Sequence, residues 1–525
     1  MPKSIGLRLI VLHYHFRPGG IRRVIELATP WLARAAGRGV NAVVLAGGEA
    51  PDAGWLAHFR AQLAPVPVTL FLESAFGYAS EQRLNATRLA RRVRAALNAL
   101  LADAESDRCL IWAHNLGLGR NLLLTRELVR VSAARGLRLV AHHHDWWFDN
   151  RWARWAEIRR LGFRQFHAAA RLIFPAANNV CHVAINRADT LALQRLLPGR
   201  AHWLPNLIER RAAPVTGPRP LTQAWLRRTL DGADAPVWLL PCRFLRRKNV
   251  AEAILLTRWL RPAAWLVTTG GPSSADEQGY FARLQAAAAS QRWQVRLGVL
   301  SSREPGQPAV TELLAASEVV LLTSIREGFG LPYLEAAAAR RPLIARALPN
   351  IAPDLAHFGF RLPQAYADVI VDPCLFGWEA ERQRQTQQFQ RWRRRLPAGC
   401  RRWAGEPVLL AGGRQPRPVP FSRLTLDAQL EVLAHPADES WERCAPLNPF
   451  LAVWKKRAAA GRLRTTPWPR SADRWLSGPA FARRFHRLVR AGSAAAPAKP
   501  VGLAALESFT REWLATEHQF PLLWT

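Results

Sequence analysis

Short apolar runs alternate with amphipathic stretches through the first 210 residues of the chain. Between the runs, apolar residues recur with helical spacing, as in IRRVIELATPWLARA and NLLLTRELVRVSAARG. The runs that predict strands are Leu7–His15, Val40–Gly48, Val68–Glu73, Cys109–Asn115, Leu137–Asp145 and the shorter His182–Ile185. Alternation of this kind predicts a parallel sheet with helices on both faces.

A polar, proline-rich stretch, Arg210–Gln223, interrupts this pattern, and we interpret it as a linker. The alternation restarts near Pro236 and continues to Leu396 through VWLLPCRF, AAWLVTTGG, VVLLTS and PLIA. It predicts a second α/β domain. Because ligands of open parallel sheets bind at the carboxyl ends of the strands, the residues that follow these runs form the candidate site.

The pattern changes once more near Arg395. The segment Arg382–Pro397 predicts a basic helix, and short helical segments with Pro/Ser/Ala-rich connections follow it. We therefore expect an α/β domain over residues 1–215, a second over 225–400, and an irregular, mostly helical appendage over 405–525.

Composition agrees with a folded, multidomain protein. A chain of 525 residues exceeds what one core usually serves, and 49% hydrophobic residues argue against disorder. No apolar run approaches the roughly 20 residues of a membrane span, and LRLIVLHYH is too short for a signal peptide. The six cysteines form no CxxC, so we expect neither a disulfide framework nor a zinc cluster, and a cytoplasmic location.

The net charge of +34 comes almost entirely from arginine. Such an excess permits partners that carry phosphates or an anionic membrane surface, and it does not choose among them. A non-catalytic basic protein that binds nucleic acid or a membrane therefore stays open as an alternative, with RWRRRLPAGCRRW (Arg391–Trp403) as its best support. A solvated basic helix beside the sheet also explains that run.

The segment REGFGLPYLE (Arg326–Glu335) follows the apolar run VVLLTS and carries two carboxylates, Glu327 and Glu335. Pro332 suits the first position of a helix, and Glu335 would then lie in its first turn. Backbone N–H groups at a helix start stabilise an anion, whereas carboxylates accept hydrogen bonds from hydroxyls. A ligand with an anionic centre and hydroxyls on both sides fits, and a nucleotide sugar is one. A plain turn before a helix is the alternative that spacing alone leaves open.

Other strand ends carry compatible residues. Arg243 and Lys248, in PCRFLRRKN, follow the first strand of the second domain, where cations can reach a bound diphosphate. Gly19 and Gly20, in FRPGGIRR, would let a ligand approach the backbone at a helix start, or else form a tight turn. The turn TTGGP closes a further strand.

These motifs together resemble the retaining GT-B glycosyltransferases of family 4, the glycosyl transferases group 1. The resemblance rests on PGG after the first strand, R-x4-K-N, a GG-P turn and EGFGLPxLEA after a strand, in that order over residues 8–395. HWLPNLIE resembles that family's PNG-type sequence, although Leu207 stands where glycine is usual. The resemblance implies two Rossmann-like domains that face each other across a cleft, with the acceptor on the N-terminal side.

The resemblance also implies roles for residues. Glu327 would contact the hydroxyls of the donor sugar, Gly328, Phe329 and Gly330 would face the sugar or its phosphate, and Glu335 would hold the ribose. Arg243 and Lys248 would neutralise the diphosphate of a nucleoside-diphosphate sugar. The expected reaction transfers a hexose-type sugar with retention, without a cofactor and without a required metal. The acceptor is a glycan, lipid or small molecule, with peripheral contact to an anionic inner membrane face as a further expectation and nucleic acid disfavoured.

Histidines crowd the predicted N-terminal domain, among them His114 and the run His142–His144. Alternate histidines on a strand share a face and could hold a metal, although burial as hydrogen-bonded core residues is the simpler interpretation. By the resemblance, we favour His114 and His144 as polar contacts to sugars. The neighbouring tryptophans, Trp146, Trp147, Trp152 and Trp155, could stack on a sugar or belong to the core.

Overall fold

The computed structural model describes residues 6–34, 39–149, 151–209, 220–272, 274–302, 304, 306–491 and 499–524. The predicted linker falls largely outside this part of the chain, and its last described residues begin a helix, Pro220–Thr229. The chain forms two compact units. The first unit consists of Met1–Glu209, Arg393–Ala404 and Ser471–Leu514, and the second of Arg210–Trp392, Gly405–Arg470 and Ala515–Thr525.

The first unit contains a parallel sheet of seven strands in the order β3-β2-β1-β4-β5-β6-β7. Helices cover both faces of this sheet, so its central strands are buried on both sides and largely apolar. Every side chain of β4 is buried. The strands are β1 (Leu7–Leu12), β2 (Val40–Gly47), β3 (Val68–Leu72), β4 (Cys109–His114), β5 (Arg138–His143), β6 (Val180–Ala184) and β7 (Ala201–Trp203).

Helices connect these strands and supply the layers on both faces. Where a cap is visible it is a short polar side chain, as at Asn121, whose Oδ1 accepts from the backbone N–H of Leu124 at 3.0 Å. The helices are α1 (Gly20–Arg34), α2 (Ala53–Leu63), α3 (Ala86–Leu100), α4 (Leu122–Ala134), α5 (Trp155–Arg160), α6 (Phe166–Ile173) and α7 (Arg187–Leu196).

The second unit contains a parallel sheet of six strands in the order β10-β9-β8-β11-β12-β13. The strands are β8 (Val237–Leu240), β9 (Trp265–Thr268), β10 (Val295–Arg296), β11 (Val319–Leu322), β12 (Leu343–Arg346) and β13 (Gln364–Tyr366). The helices are α8 (Pro220–Thr229), α9 (Val250–Leu260), α10 (Ala275–Ser290), α11 (Val310–Ala316), α12 (Leu331–Ala338) and α13 (Ala352–His357). Two Rossmann-like sheets with a helical C-terminal part confirm the predicted fold class.

The C-terminal part is helical as expected, but it is not a separate appendage. Residues 405–470 and 515–525 belong to the second unit, and 471–514 to the first. The elements are β14 (Ile370–Val371), α14 (Trp378–Arg395), α15 (Val408–Ala411), β15 (Val419–Pro420), α16 (Leu426–Ala434), α17 (Ala437–Cys444), α18 (Pro449–Ala459), α19 (Asp473–Leu476), α20 (Gly478–Ala491) and α21 (Leu503–Trp513).

The apolar faces of these helices explain why the C-terminal part is divided between the two units. On α20, Phe481 and Phe485 are buried against Trp112 of the first sheet. On α18, Trp454 packs edge-on against Tyr366 of β13 in the second unit. An amphipathic helix is stable only where its apolar face is buried, and these faces complete the two cores. Among the described residues, no helix is both long and apolar enough to cross a membrane.

Candidate functional site

In the second unit, the loops after β8 and β9 are joined through their backbones. The N–H of Gly270 donates to the carbonyl of Cys242 at 2.8 Å, and the N–H of Phe244 donates to the carbonyl of Gly271 at 3.0 Å. A Cβ on Gly270 would lie 3.1 Å from the carbonyl oxygen of Cys242 and 3.2 Å from Cα of Arg243. The glycine in TTGGP therefore allows a close approach of the two loops.

The loop after β11, which carries REGFG, is tied to the loop after β8 in the same way. The N–H of Ile325 donates to the carbonyl of Arg247 at 2.8 Å, and the hydroxyl of Thr323 donates to the carbonyl of Lys248 at 2.9 Å. Asn249 follows with a left-handed backbone, φ 47°, and begins α9. Three motifs that are far apart in sequence therefore lie together at the carboxyl ends of β8, β9 and β11.

Glu327 is the centre of this group. Its side chain is only 10% exposed, and it accepts from the guanidinium of Arg247 at 2.7 Å, from the hydroxyl of Ser324 at 2.7 Å and from Nζ of Lys248. Burial raises the pKa of this carboxyl, but the charges of Arg247 and Lys248 outweigh burial and lower the pKa to about 2. Glu327 is thus a fixed, ionised acceptor.

The backbone around Glu327 is fixed as well. Nη1 of Arg247 also donates to the carbonyl of Arg326 at 2.9 Å, and the side-chain amide of Asn350 donates to the carbonyl of Glu327 at 2.7 Å. Arg247 therefore holds both the backbone and the carboxylate of this turn. A guanidinium, with its planar fork of donors, is suited to such a double contact.

The helix that follows begins at a residue with a left-handed backbone. Gly330 has φ 75°, and a Cβ there would lie 2.7 Å from the ring of Tyr333. The helix begins at Leu331, so Glu335 lies in its second turn and not in the first turn that the sequence predicted. The hydroxyl of Tyr333 donates to the carbonyl of Arg346 at 2.7 Å, which joins α12 to the end of β12.

A buried polar network lies beneath these loops. Glu252 of α9 is fully buried and pairs with Arg346 of β12, and the hydroxyl of Tyr366 donates to the same carboxylate at 2.6 Å. The side-chain amide of Asn249 donates to Glu252 at 2.9 Å, so the network reaches the loop after β8. Buried polar groups that pair with one another in this way favour one arrangement of the elements that carry them.

The sequence-predicted residues of this unit fall as follows. Glu327 and Lys248 are in direct contact, and Gly328, Phe329 and Gly330 continue the same turn. Arg243 is exposed in the loop that follows β8, and Glu335 is half-buried on α12. Sequence reasoning missed Arg247 and Ser324 because Arg247 is one of three adjacent cations in an arginine-rich chain, where only the rare lysine was informative.

In the first unit, the histidines of β4 and β5 form a buried cluster. Nδ1 of His114 lies 3.0 Å from Nε2 of His144, and the indole N–H of Trp112 donates to Nδ1 of His142 at 3.2 Å. One nitrogen from each of the three histidines lies within 4.8 Å of the others, a spacing that a metal ion could use. In a neutral His142, however, the bond from Trp112 places the ring proton on Nε2, so coordination through Nε2 would require that bond to break.

Burial keeps this cluster neutral. It lowers the pKa of His13 to about 3 and that of His144 to about 4, and repulsion from His15 adds to the effect on His13. Burial, followed by repulsion from neighbouring histidines, also lowers the pKa of His114 and of His142. His114 is fully buried and His144 is 7% exposed, so their predicted contact with a sugar stays a prediction.

The other predicted residues of the first unit are Gly19, Gly20 and the four tryptophans. Gly20 is the first residue of α1 and Gly19 precedes it, and both are exposed. A Cβ on Gly20 would meet no described atom within 4 Å, so packing within the described residues does not require glycine there. The four tryptophans are buried, which supports the core interpretation for Trp146, Trp147, Trp152 and Trp155.

Residues 225–360 match the family model of the glycosyl transferases group 1. A mannosylglucosyl-3-phosphoglycerate synthase from Petrotoga mobilis is 24% identical over 259 residues, which cover 48% of this chain and 49% of that protein. The match thus spans about half the length of that relative. The matched family region contains the Glu327 site, and it supports a glycosyltransferase with the GT-B fold.

Solved structures show the same fold. A sucrose-phosphate synthase from Thermosynechococcus elongatus aligns with TM-score 0.51 at 14% identity, over 93% of this chain and 100% of that chain. A glycosyltransferase from Rickettsia africae aligns with TM-score 0.51 at 10% identity, over 94% and 100%. An E. coli structure described as trehalose-6-phosphate bound with UDP-2-fluoro glucose aligns with TM-score 0.50 at 15% identity, over 92% and 99%.

Proposed function

We propose that this chain is a retaining, family 4 glycosyltransferase that moves a hexose-type sugar from a nucleoside-diphosphate sugar to an acceptor. One observation carries the proposal. An ionised, nearly buried glutamate is held between two cations at the carboxyl ends of parallel strands, inside the region that matches the family. A protein that only bound polyanions through its surface arginines would have no use for a buried carboxylate at that place.

The donor would bind by matching charges to this group. Lys248 and Arg243 would face the diphosphate, and the N-terminus of α12 would add the partial positive charge of its N–H groups. An ammonium group has three donors, so Lys248 can keep its bond to Glu327 and still donate to a phosphate oxygen. Glu335 would accept from the ribose, and Glu327 would accept from a hydroxyl of the sugar.

The reaction breaks the bond between the anomeric carbon and the diphosphate oxygen, and forms a bond from that carbon to the acceptor oxygen on the same face. The proton of the acceptor hydroxyl passes to the departing diphosphate, so no protein nucleophile is needed. The main task of the protein is to stabilise negative charge on the leaving group, and cations placed in advance do this without reorganisation. On this proposal Arg243 and Lys248 supply that charge, and no metal is required.

The test is a thermal-shift screen of the full chain against UDP, GDP, ADP, UDP-glucose, GDP-mannose and ADP-glucose. A ligand that binds only the folded state raises the melting temperature, by an amount set by its concentration relative to Kd. We expect at least one nucleoside diphosphate and its sugar to raise it, with release of the diphosphate on incubation. If none does, and the chain instead binds nucleic acid or anionic vesicles with a steep salt dependence, the basic binding protein is the better explanation.

A further inference from the structure

The last described residues of the chain, 515–524, lie against the Glu327 site, and we call them the C-terminal strap. The strap belongs to the second unit, although α21 before it belongs to the first. Leu522 is buried in the core of the second unit, and the ring of Trp524 stacks on Trp392 with centroids 5.2 Å apart. The strap is therefore anchored at its end by apolar burial.

The strap also contacts the turn that carries Glu327. Nη2 of Arg326 donates to the carbonyl of His518 at 2.7 Å, and its guanidinium lies 5.7 Å from the ring centroid of Phe520. On the other strand-end loop, the Cα atoms of Pro521–Leu523 approach those of Arg246–Lys248 within 8 Å. The strap thus lies beside both loops whose side chains meet at Glu327.

A second arginine holds the strap from outside the site. The guanidinium of Arg423 lies 3.8 Å from the ring centroid of Phe520, and it donates to the carbonyls of Gln519 at 2.8 Å and Glu517 at 2.9 Å. Phe520 thus lies near the guanidinium groups of Arg326 and Arg423, and Arg326 is the residue directly before Glu327. The attraction between each guanidinium and the ring favours this position of Phe520.

We propose that the C-terminal strap positions the carboxylate of Glu327 for sugar transfer, with Arg326 and Phe520 as positioning residues. The path is short: the strap fixes the side chain of Arg326, and Arg247 donates both to the carbonyl of Arg326 and to the carboxylate of Glu327. A shift of the turn would move the carboxylate of Glu327 relative to the sugar. This inference rests on the proposed function.

The experiment compares Arg326→Gln and Phe520→Leu with the wild-type full chain. The substrate is whichever of UDP-glucose, GDP-mannose or ADP-glucose the wild type hydrolyses to its diphosphate, and binding of the free diphosphate is measured by calorimetry. We expect kcat to fall about tenfold in both variants, since small misplacements of a reacting group have effects of this order or larger. The Kd of the free diphosphate should stay within about twofold of wild type, because Arg326 acts on the turn that carries Glu327, and on the proposed function Glu327 touches the sugar and not the diphosphate. Phe520→Tyr keeps the aromatic face and should restore most of kcat.

The matched control is Arg484→Gln in the first unit. Arg484 lies 3.9 Å from the ring centroid of Trp475 and donates to the carbonyls of Trp475 and Arg474, so its loss removes similar contacts elsewhere. We expect kcat of the control to equal that of wild type. If Arg326→Gln does not fold, Arg326→Lys keeps the charge without the planar fork and replaces it.

Each outcome decides between the two proposals. If the wild type turns over a nucleotide sugar and both strap variants keep its kcat, or lose only melting temperature, the strap has no positioning role. An equal loss of kcat in Arg484→Gln would likewise overturn it. If the wild type neither binds a nucleoside diphosphate nor hydrolyses any of the sugars, the proposed function fails, and the strap proposal fails with it.

Discussion

A carboxylate held between two cations and a hydroxyl has little freedom to change its charge or its direction. The pKa of Glu327 is about 2, so the carboxylate is ionised at any higher pH, and its partners Arg247 and Ser324 lie at ordinary hydrogen-bond distance. On the proposed function, Glu327 and Glu335 touch different parts of the donor. Removing the carboxylate of Glu327 should therefore have a different effect from removing that of Glu335.

Glu335→Gln should weaken the binding of every nucleotide, including the free diphosphate. The change keeps the size of the side chain but loses charge-assisted hydrogen bonds to the ribose, each worth about 1.5–3 kcal/mol. Glu327→Gln, by contrast, should slow transfer while the affinity for free diphosphate stays nearly intact. Calorimetry with UDP, GDP or ADP and a parallel assay of transfer give both quantities. Equal losses of diphosphate affinity, or none in either variant, would contradict this division of roles.

Lys248 and Arg243, two cations of the same loop, should differ in their contribution to stability. Lys248→Ala and Arg243→Ala should both weaken donor binding and slow turnover, because each removes positive charge from the diphosphate. Lys248 is 7% exposed and bonded to Glu327, whereas Arg243 is exposed, so only Lys248→Ala should also lower the melting temperature. The measurements are diphosphate affinity and thermal unfolding of each variant. Unchanged kinetics in both would remove the assignment of the phosphate site.

The sequence predicted a site residue only where its type is rare in the chain or where distinctive neighbours, such as glycines, accompany it. Lys248 was identified because lysine is scarce in this chain, and Glu327 because a loop with two glycines follows it. Arg247 could not be identified, since nothing in a run of three cations says which of them contact Glu327. That choice is made by the turn of the backbone from Arg246 to Lys248, which is a tertiary property.

At the scale of elements, apolar runs predicted most strands because a parallel strand buried on both faces is apolar throughout. The three-residue strand β7, which overlaps the start of HWLPNLIE, was not predicted, because so short a segment shows no period. The C-terminal part was predicted to be mostly helical, and the structure confirms this. The unit that each helix joins was not, since an amphipathic face does not name the surface that covers it.

The start of α12 gives a test at this scale. Gly330→Ala should destabilise the protein by about 1–2 kcal/mol, because a left-handed backbone disfavours a Cβ and the new methyl group would meet the ring of Tyr333. The matched change is Gly20→Ala at the start of α1, where a Cβ meets no described atom within 4 Å. Chemical denaturation should show a loss for the first variant and none for the second. If Gly20 also faces a ligand, its variant should weaken ligand binding without loss of stability.

At the scale of the whole molecule, the two units should respond differently to acid. Among the described residues of the first unit, burial lowers the pKa of eight histidines, namely His13, His114, His142, His143, His144, His182, His202 and His486. A folded-state pKa below the unfolded value means that the unfolded chain binds more protons, so stability is complete above about pH 6.5 and falls as the pH drops toward about 4. Burial raises the pKa of Asp189 in the same unit to about 6, which opposes this trend with a single group.

In the second unit, Glu327 has the same sign, but it acts over a lower pH range than the histidines. Its folded pKa lies below the ordinary value of 4.5, so the stability that it contributes is present above that value and is lost only as the pH falls toward about 2. We expect urea unfolding at pH 5 to separate into two transitions, the earlier one from the first unit, whereas the transitions lie closer at pH 7.5. The variant His182→Asn should reduce the shift of the earlier transition. A pH-independent first transition would contradict the assignment.

The distribution of the C-terminal part between the units has a consequence for biosynthesis. Domains generally fold as they emerge from the ribosome, N-terminal first. Here the core of the first unit includes Phe481 and Phe485, and the core of the second includes Leu522. Neither core can form completely until these residues have been synthesised. Nascent chains should therefore expose apolar surface until translation nears residue 524, which makes this protein a natural client for chaperones that bind unfinished polypeptides.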